Sequence, residues 1–294
     1  MKSIFITGST GFVGKYLLKE FENIYSFSNF EKGTNISISQ DIVIHLAGKA
    51  HDLKHIAASQ EYYNINTELT KNIYNAFLNS NAKVFITLSS VKAVVDNLEN
   101  VLTEEQFPSP ITHYGKSKLL AEQYILSQRI PDGKRVYILR PCMIHGPGNK
   151  GNLNLLYDIV RKGFPWPLGA FDNKRSFCSI DNLCFVINEL IQNDQIPSGV
   201  YNIADDEALS TNELIKLISE CEGKKPFIWH IPKSIVKLLS KIGDLFRFPL
   251  NSERLGKLTQ NYIVSNKKIN LAVKKPFPVK SKEGLIKTFQ SFNH

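Results

Sequence analysis

Short apolar runs alternate with helical patterns over the first two-thirds of the chain. Ser3–Thr7 (SIFIT), Asp41–Leu46 (DIVIHL), Val84–Leu88 (VFITL) and Val136–Leu139 (VYIL) are β-branched or apolar runs bounded by turn residues, the pattern of buried strands. Between them, Val13–Phe21, Ser59–Leu78 and Tyr114–Ser127 carry apolar residues at helical spacing. Strands separated by helices pair in parallel, because a parallel pair needs a crossover, and the helices then cover both faces. The expected fold is therefore α/β, with a doubly wound parallel sheet. The later chain is choppier: GFPWPLG (Gly163–Gly169) and IPSGVYN (Ile196–Asn202) read as loops. Ser210 with Glu213 forms a capping box that opens a further helix. The pattern divides into a sheet domain over 1–150, with a return segment at about 174–205, and a smaller, mainly helical domain from 151–173 and 206–294.

The 294 residues are 43% hydrophobic and 21% charged, which excludes a collagenous, low-complexity or wholly disordered chain. Cys142, Cys178, Cys184 and Cys221 are scattered without metal-ligand spacing, so buried free thiols in a reducing compartment are expected, and no metal site. No apolar run reaches the roughly 18 residues of a membrane span. Glycines follow the first apolar residues too soon for a secretory signal, and a soluble, cytoplasmic protein is the expectation.

The net charge of +9 is uneven, since residues 224–294 carry +12 and residues 1–223 carry −3. A basic face in that last quarter suits a phosphorylated small molecule, an anionic membrane surface or nucleic acid, or is a solvated lysine surface. With the remainder of the chain slightly acidic, no nucleic-acid partner is expected. Within this quarter, IPKSIVKLLSKIGDLFRF places Ile235, Leu238, Leu239, Ile242 and Leu245 on one side of a helix and Lys233, Lys237, Lys241 and Arg247 elsewhere. Such a helix either covers the smaller domain, the commoner use and the expectation here, or lies on anionic lipid.

The first strand runs into Thr7-Gly8-Ser9-Thr10-Gly11-Phe12-Val13-Gly14 and then into a helix. Gly8 permits a tight turn, Gly11 allows a pyrophosphate close to the backbone, and Gly14 lets helix and strand pack closely. The helix N-terminus offers free N–H groups and a positive dipole end to phosphates. The second strand, read as Ile24–Phe27, ends at Ser28 and Asn29, which offer a ribose neither the acid that suits NAD nor the base that suits NADP. The following EKGTNISISQ is short, so the usual third strand is reduced or absent.

Tyr114 and Lys118 lie four residues apart in HYGKSKLLAEQYI, on one face of a helix. A cation beside a phenol stabilises the phenolate and lowers its pKa, making tyrosine an acid or base near neutral pH. The strand VFITL ends in Ser89-Ser90 at the sheet edge where α/β proteins carry their sites, and a serine there can bond the oxygen that Tyr114 protonates. DIVIHLAGKAH places Leu46, Ala47 and Gly48 where a cofactor ribose can lie against backbone, and Asn66 is of the type that holds a structural water or a backbone kink.

Taken in order, TGSTGFVG, HLAG, Asn66, LSS, YGKSK and RPCMIHGPG resemble the extended short-chain dehydrogenases/reductases, the NAD-dependent epimerase/dehydratase family, over nearly the whole chain. The resemblance implies a Rossmann-type sheet, an NAD(P)H cofactor and a helical substrate domain. It makes Tyr114 the acid/base, Lys118 the ligand of the nicotinamide ribose and Ser90 the residue that orients substrate. The implied cofactor contacts are Gly8, Thr10, Gly11, Phe12, Val13, Gly14, Ser28, Asn29, Leu46, Ala47, Gly48, Asn66 and Pro141, besides Tyr114 and Lys118. SSVK, GPGNKGN and PWPLGAFDNKRSF are similar to bacterial enzymes acting at C4 of nucleotide-diphosphate sugars. There Asn152 and Arg175 match residues that bind the diphosphate, while Trp166 or Phe171 either packs on the base or fills a core. The tyrosine often found after the two serines is missing from KAVVDN.

The activity this implies is NAD(P)H-dependent reduction of the C4 ketone of a dTDP- or UDP-linked 4-keto-6-deoxysugar for surface polysaccharide. The alternatives are an NAD-dependent UDP-hexose 4-epimerase and a non-catalytic NAD(P)-binding regulatory module. The compact chain and the missing ribose acid favour an exchangeable cofactor, hence the reductase. Helix-paired homodimers are common in the family, and a homodimer is the corresponding expectation.

Overall fold

Six parallel strands form the central sheet of the computed structural model, which describes residues 1–30, 36–50, 59–98, 100–149, 151–246 and 251–293. They are β1 (Ser3–Thr7), β2 (Ser26–Asn29), β3 (Ile42–His45), β4 (Val84–Leu88), β5 (Arg135–Pro141) and β8 (Gly199–Ile203), in the order β2-β1-β3-β4-β5-β8. A second, two-stranded parallel sheet pairs β6 (Met143–His145) with β7 (Phe177–Ser179). From β1 the chain passes to β2 on one side and then to β3 on the other. That reversal opens a crevice at the carboxyl ends of β1 and β3, where sheets of this class take ligands.

The strands alternate faces although both faces are buried. Ile4, Ile6, Ile42, Ile44, Val84 and Ile86 enter one core with Leu17 and Phe21 of α1 (Phe12–Phe21) and Leu183, Val186 and Ile187 of α6 (Ile180–Gln192). Phe5, Val43, Phe85, Val136 and Ile138 enter the opposite core with Ile73, Tyr74 and Phe77 of α3 (Leu69–Leu78) and Ile125 of α4 (His113–Ser127). The expected helix Ser59–Leu78 is present as α2 (Ser59–Tyr62), a π-helical turn (Tyr63–Glu68) and α3.

A third core joins α5 (Asn152–Arg161), α7 (Thr211–Cys221) and α11 (Ser281–Gln290), with Trp166, Leu168, Phe171 and Phe177 between them. The capping box of α7 forms as expected: Glu213 N–H donates to Ser210 Oγ at 3.1 Å and Ser210 N–H donates to Glu213 Oε2 at 2.7 Å. Two further helices, α8 (Lys233–Phe246) and α9 (Ser252–Thr259), precede α10 (Lys267–Val273). Tyr262, Val264, Ile269 and Val273 pack into the first core, so this part of the 206–294 segment belongs to the sheet layer and not to the helical one.

Four local expectations are corrected, the first being that IPSGVYN, read as a loop, enters strand β8 at Gly199. Ile24 and Tyr25 donate their N–H groups to Phe21 O, closing a turn after α1, so β2 begins at Ser26 instead of Ile24. The side of α8 that carries Ile235, Leu238, Leu239, Ile242 and Leu245 covers nothing among the described residues: all five are exposed, and Val236 and Ser240 are the buried positions. Trp166 and Phe171 are 4% and 8% exposed, filling the third core and presenting no free ring face. Arg247 lies outside the described residues. No strand flanks β2 on its outer side among the described residues. Cys142, Cys178 and Cys184 are buried free thiols, and burial pushes each well up.

Candidate active site

The phosphate loop has the backbone its glycines require. Gly8 has φ +73, and a Cβ there would lie 2.6 Å from Ala47 N, so both the conformation and the space exclude a side chain. A Cβ on Gly14 would lie 2.4 Å from Gly8 O, which is how closely α1 packs on the loop. Gly11 stands at the N-cap of α1 with no side-chain cap, leaving the first-turn N–H groups of Phe12, Val13 and Gly14 uncapped beside exposed Thr10. This cradle fits a dinucleotide pyrophosphate. Ser28 and Asn29 are the last two residues of β2, half-buried and exposed, and Pro141 closes β5 at the same carboxyl edge.

The loop after β3 is pinned by a buried hydrogen-bond chain. Leu46 N–H donates to Thr7 O at 3.1 Å and Ala47 N–H to Thr7 Oγ1 at 3.1 Å. Thr7 Oγ1 lies 2.7 Å from His45 Nδ1, and His45 Nε2 lies 2.8 Å from Thr70 Oγ1, which donates to Asn66 O at 2.8 Å. With the Thr70 proton so engaged, His45 carries its own on Nε2 and is neutral; burial and the Lys118 charge push its pKa down to about 3. Asn66, in the π-helical turn, accepts from Lys49 N–H at 2.8 Å and donates to Lys49 O and Ser117 Oγ, both at 3.0 Å. It therefore ties the Gly48–Lys49 backbone to α4.

Ser90, Tyr114 and Lys118 meet at the carboxyl edge of β4. Ser90 caps the short 3₁₀ turn Val91–Ala93, its Oγ accepting from Lys92 N–H at 3.2 Å, and it is hydrogen-bonded to Tyr114. Ser89 Oγ is buried without a hydrogen-bond partner among the described residues. Lys118 Nζ donates to Leu88 O at 2.8 Å. Burial lowers the Lys118 pKa to about 8, with Glu122 opposing the shift.

Against expectation, the Tyr114 phenol is raised above its ordinary value. Burial is the larger cause, the Ser90 hydrogen bond works the other way, and Tyr62, whose ring lies 6.4 Å away, adds to the rise. The phenol is thus held protonated at neutral pH, the form that gives a proton to a ketone.

Several supporting residues escaped the sequence pattern. Asp96 accepts from Ile111 N–H at 2.7 Å and Thr112 N–H at 3.1 Å, fixing the start of α4, while Thr112 Oγ1 caps it by accepting from Gly115 N–H at 3.2 Å. Glu122 receives Arg140 Nε at 3.0 and 3.1 Å in a buried ion pair one turn beyond Lys118. An acid at that spacing on the apolar side of α4 was the available signal for Glu122; Asp96 left none.

On the substrate side the expected residues sit on different elements. Asn152 is exposed at the first turn of α5. Arg175 is half-buried, its backbone bridging Leu209 and Tyr262, and burial pushes its guanidinium below its ordinary pKa, with the Tyr262 phenol and the Cys142 thiol opposing. Tyr262 Oη donates to Val95 O at 2.7 Å, which joins Arg175 to the turn that follows Ser90.

Comparison with known proteins identifies relatives of the chain. A family model described as "NAD dependent epimerase/dehydratase family" matches residues 26–204. The chain is 32% identical to a UDP-glucose 4-epimerase of Vibrio cholerae over 273 residues, covering 82% of each chain. It is 27% identical to an N-acetyl-alpha-D-glucosaminyl-diphospho-ditrans,octacis-undecaprenol 4-epimerase of Escherichia coli O157:H7, over 78% of this chain and 75% of that one. It is 26% identical to a GDP-6-deoxy-D-talose 4-dehydrogenase of Aggregatibacter actinomycetemcomitans, over 83% of this chain and 92% of that one.

Proposed function

The chain belongs to the NAD-dependent epimerase/dehydratase family, and from that premise we propose that it moves a hydride at C4 of a sugar carried on a nucleoside diphosphate. The observation that carries this reading is the convergence of Ser90, Tyr114 and Lys118 opposite the Gly8–Gly14 cradle. When bound, the nicotinamide supplies or takes the hydride.

The chain handles the proton. Tyr114 Oη gives a proton to the sugar oxygen as a carbonyl is reduced and takes it back as an alcohol is oxidised. Ser90 holds the phenol and the sugar oxygen in one line, an orientation effect that acts on rate more than on affinity. Lys118, with Leu88 O and the Gly48 backbone around its ammonium, holds the ribose. Arg175 and Asn152 are assigned to the diphosphate, where a guanidinium forms charge-assisted bonds to phosphate oxygens.

Of the two C4 reactions, 4-epimerisation is supported by the 32%-identical relative. The 4-keto reduction has a separate support in β2, whose exposed end at Ser28 and Asn29 carries no charge to fix one cofactor in place. We take epimerisation as the first reading and reduction as the second. The protein incubated with UDP-glucose and NAD should yield the C4 epimer by NMR without net change at 340 nm. Stoichiometric oxidation of NAD(P)H by a 4-keto-6-deoxysugar nucleotide, with no epimerisation, would transfer the assignment to the reductase. Failure of both reactions across UDP-, dTDP- and GDP-sugars would overturn the C4 proposal.

A further inference from the structure

Helix α8 turns its apolar stripe to solvent. Ile235, Leu238, Leu239, Ile242 and Leu245 are 48%, 60%, 49%, 39% and 76% exposed, while Val236 and Ser240 are each 2% exposed. At about 100° per residue these sets occupy different sides of the helix, so α8 is held through Val236 and Ser240 and shows its leucines outward. Exposed Lys237 and Lys241 occupy the remaining side, next to the stripe. In the segment leading to α8, Ile228 packs inward, and the alternating Phe227 and Trp229 are 51% and 49% exposed, with ring centroids 5.7 Å apart.

A run of five exposed apolar residues on one helix is far more than the scattered single side chains of an ordinary surface. The charge around it identifies what it meets. Residues 224–246 contain five lysines and one acid, Asp244, which accepts from Ser252 N–H at 2.9 Å and Oγ at 2.6 Å. A second copy of this chain placed on the stripe would set the same lysines against each other. An anionic surface instead neutralises them while the leucines leave water. At 14 residues, with charges along its length, α8 is too short and too polar to cross a bilayer and suits lying flat in the headgroup layer, where indole and phenyl rings also favour the interface.

We propose that α8, with Phe227 and Trp229, docks the protein on an anionic phospholipid surface. Lys233 Nζ lies 5.7 Å from the centre of the Phe171 ring, so the start of the docking helix adjoins the segment leading to Arg175 through the side away from the stripe. The proposal is independent of which carrier the sugar bears and of which C4 reaction occurs.

Co-sedimentation of the full chain with vesicles tests it. Phosphatidylcholine vesicles containing about one-third phosphatidylglycerol should bind at least about tenfold more protein than phosphatidylcholine alone, and added salt should reduce the bound fraction. Leu238→Glu with Leu245→Glu, and separately Lys237→Glu with Lys241→Glu, should each lower binding about tenfold or more. Because all four side chains are already exposed, the thermal midpoint should not move, which separates lost docking from lost folding. Equal binding with and without phosphatidylglycerol, or a leucine double variant that binds like the wild type, would overturn the proposal. A wild type that ignores vesicles but forms a dimer dissolved by the leucine variant would overturn it too, and assign the stripe to a second copy.

Discussion

Lys118 rests its ammonium against the backbone of Gly48, so that a Cβ at residue 48 would lie 2.9 Å from Nζ and 3.2 Å from Asn66 Oδ1. The contact joins the loop after β3 to the helix that carries Tyr114. It predicts the effect of Gly48→Ala. The nearest atom is the far end of a flexible side chain, so the fold should survive with little change in thermal midpoint. Lys118 must swing away from Leu88 O, and kcat should fall by about tenfold or more, since small displacements of a positioning group are costly in rate. Native turnover in a folded Gly48→Ala protein would refute this placement of Lys118.

The buried Glu122–Arg140 pair supports the same lysine from below. Glu122→Gln leaves Arg140 a buried charge without its carboxylate, and breaking such a pair costs about 3–5 kcal/mol. Chemical denaturation should show the loss. Glu122 also holds the Lys118 pKa up against burial, so its removal should move the alkaline limb of the pH–rate profile to lower pH. A variant that loses stability but keeps the wild-type limb would make Glu122 a purely structural residue.

His45 sets an acid limit on stability. Its pKa in the folded chain is pushed down to about 3 from 6.5, so between those values the unfolded chain takes up a proton that the folded chain refuses. The stability contributed by the neutral ring is complete above about 6.5 and is lost as pH falls towards 3, with a slope of up to about 1.4 kcal/mol per pH unit. His45→Gln should flatten that part of the stability curve in denaturant titrations run at successive pH values. An unchanged slope would show that another group governs acid unfolding.

The elements that repeat a local rule were legible in the chain. Gly8 and Gly14 mark the loop because backbone sterics demand glycine there, and Tyr114 and Lys118 share a face by helix period alone. What was hidden depends on partners distant in sequence. The π-helical turn holds Asn66 against Lys49 and Ser117, and YNINTE hinted at it only through the residue type of Asn66. The pattern of α8 showed an apolar stripe but not which side packs; Val236 and Ser240 decide that through neighbours elsewhere in the fold. Trp166 read equally well as a nucleotide platform, but it is buried in the third core, its backbone bridged to Ile228.

The proposed mechanism has Tyr114 transfer the proton at C4 while Ser90 and Lys118 place it. Tyr114→Phe removes one hydroxyl and keeps the ring that packs near Tyr62, so the fold and the cofactor Kd, measured by titration calorimetry, should stay near wild type. Turnover of the C4 substrate, followed by NMR of the sugar nucleotide, should fall by about a hundredfold or more. A Tyr114→Phe protein that binds cofactor normally and turns over near the wild-type rate would contradict the account.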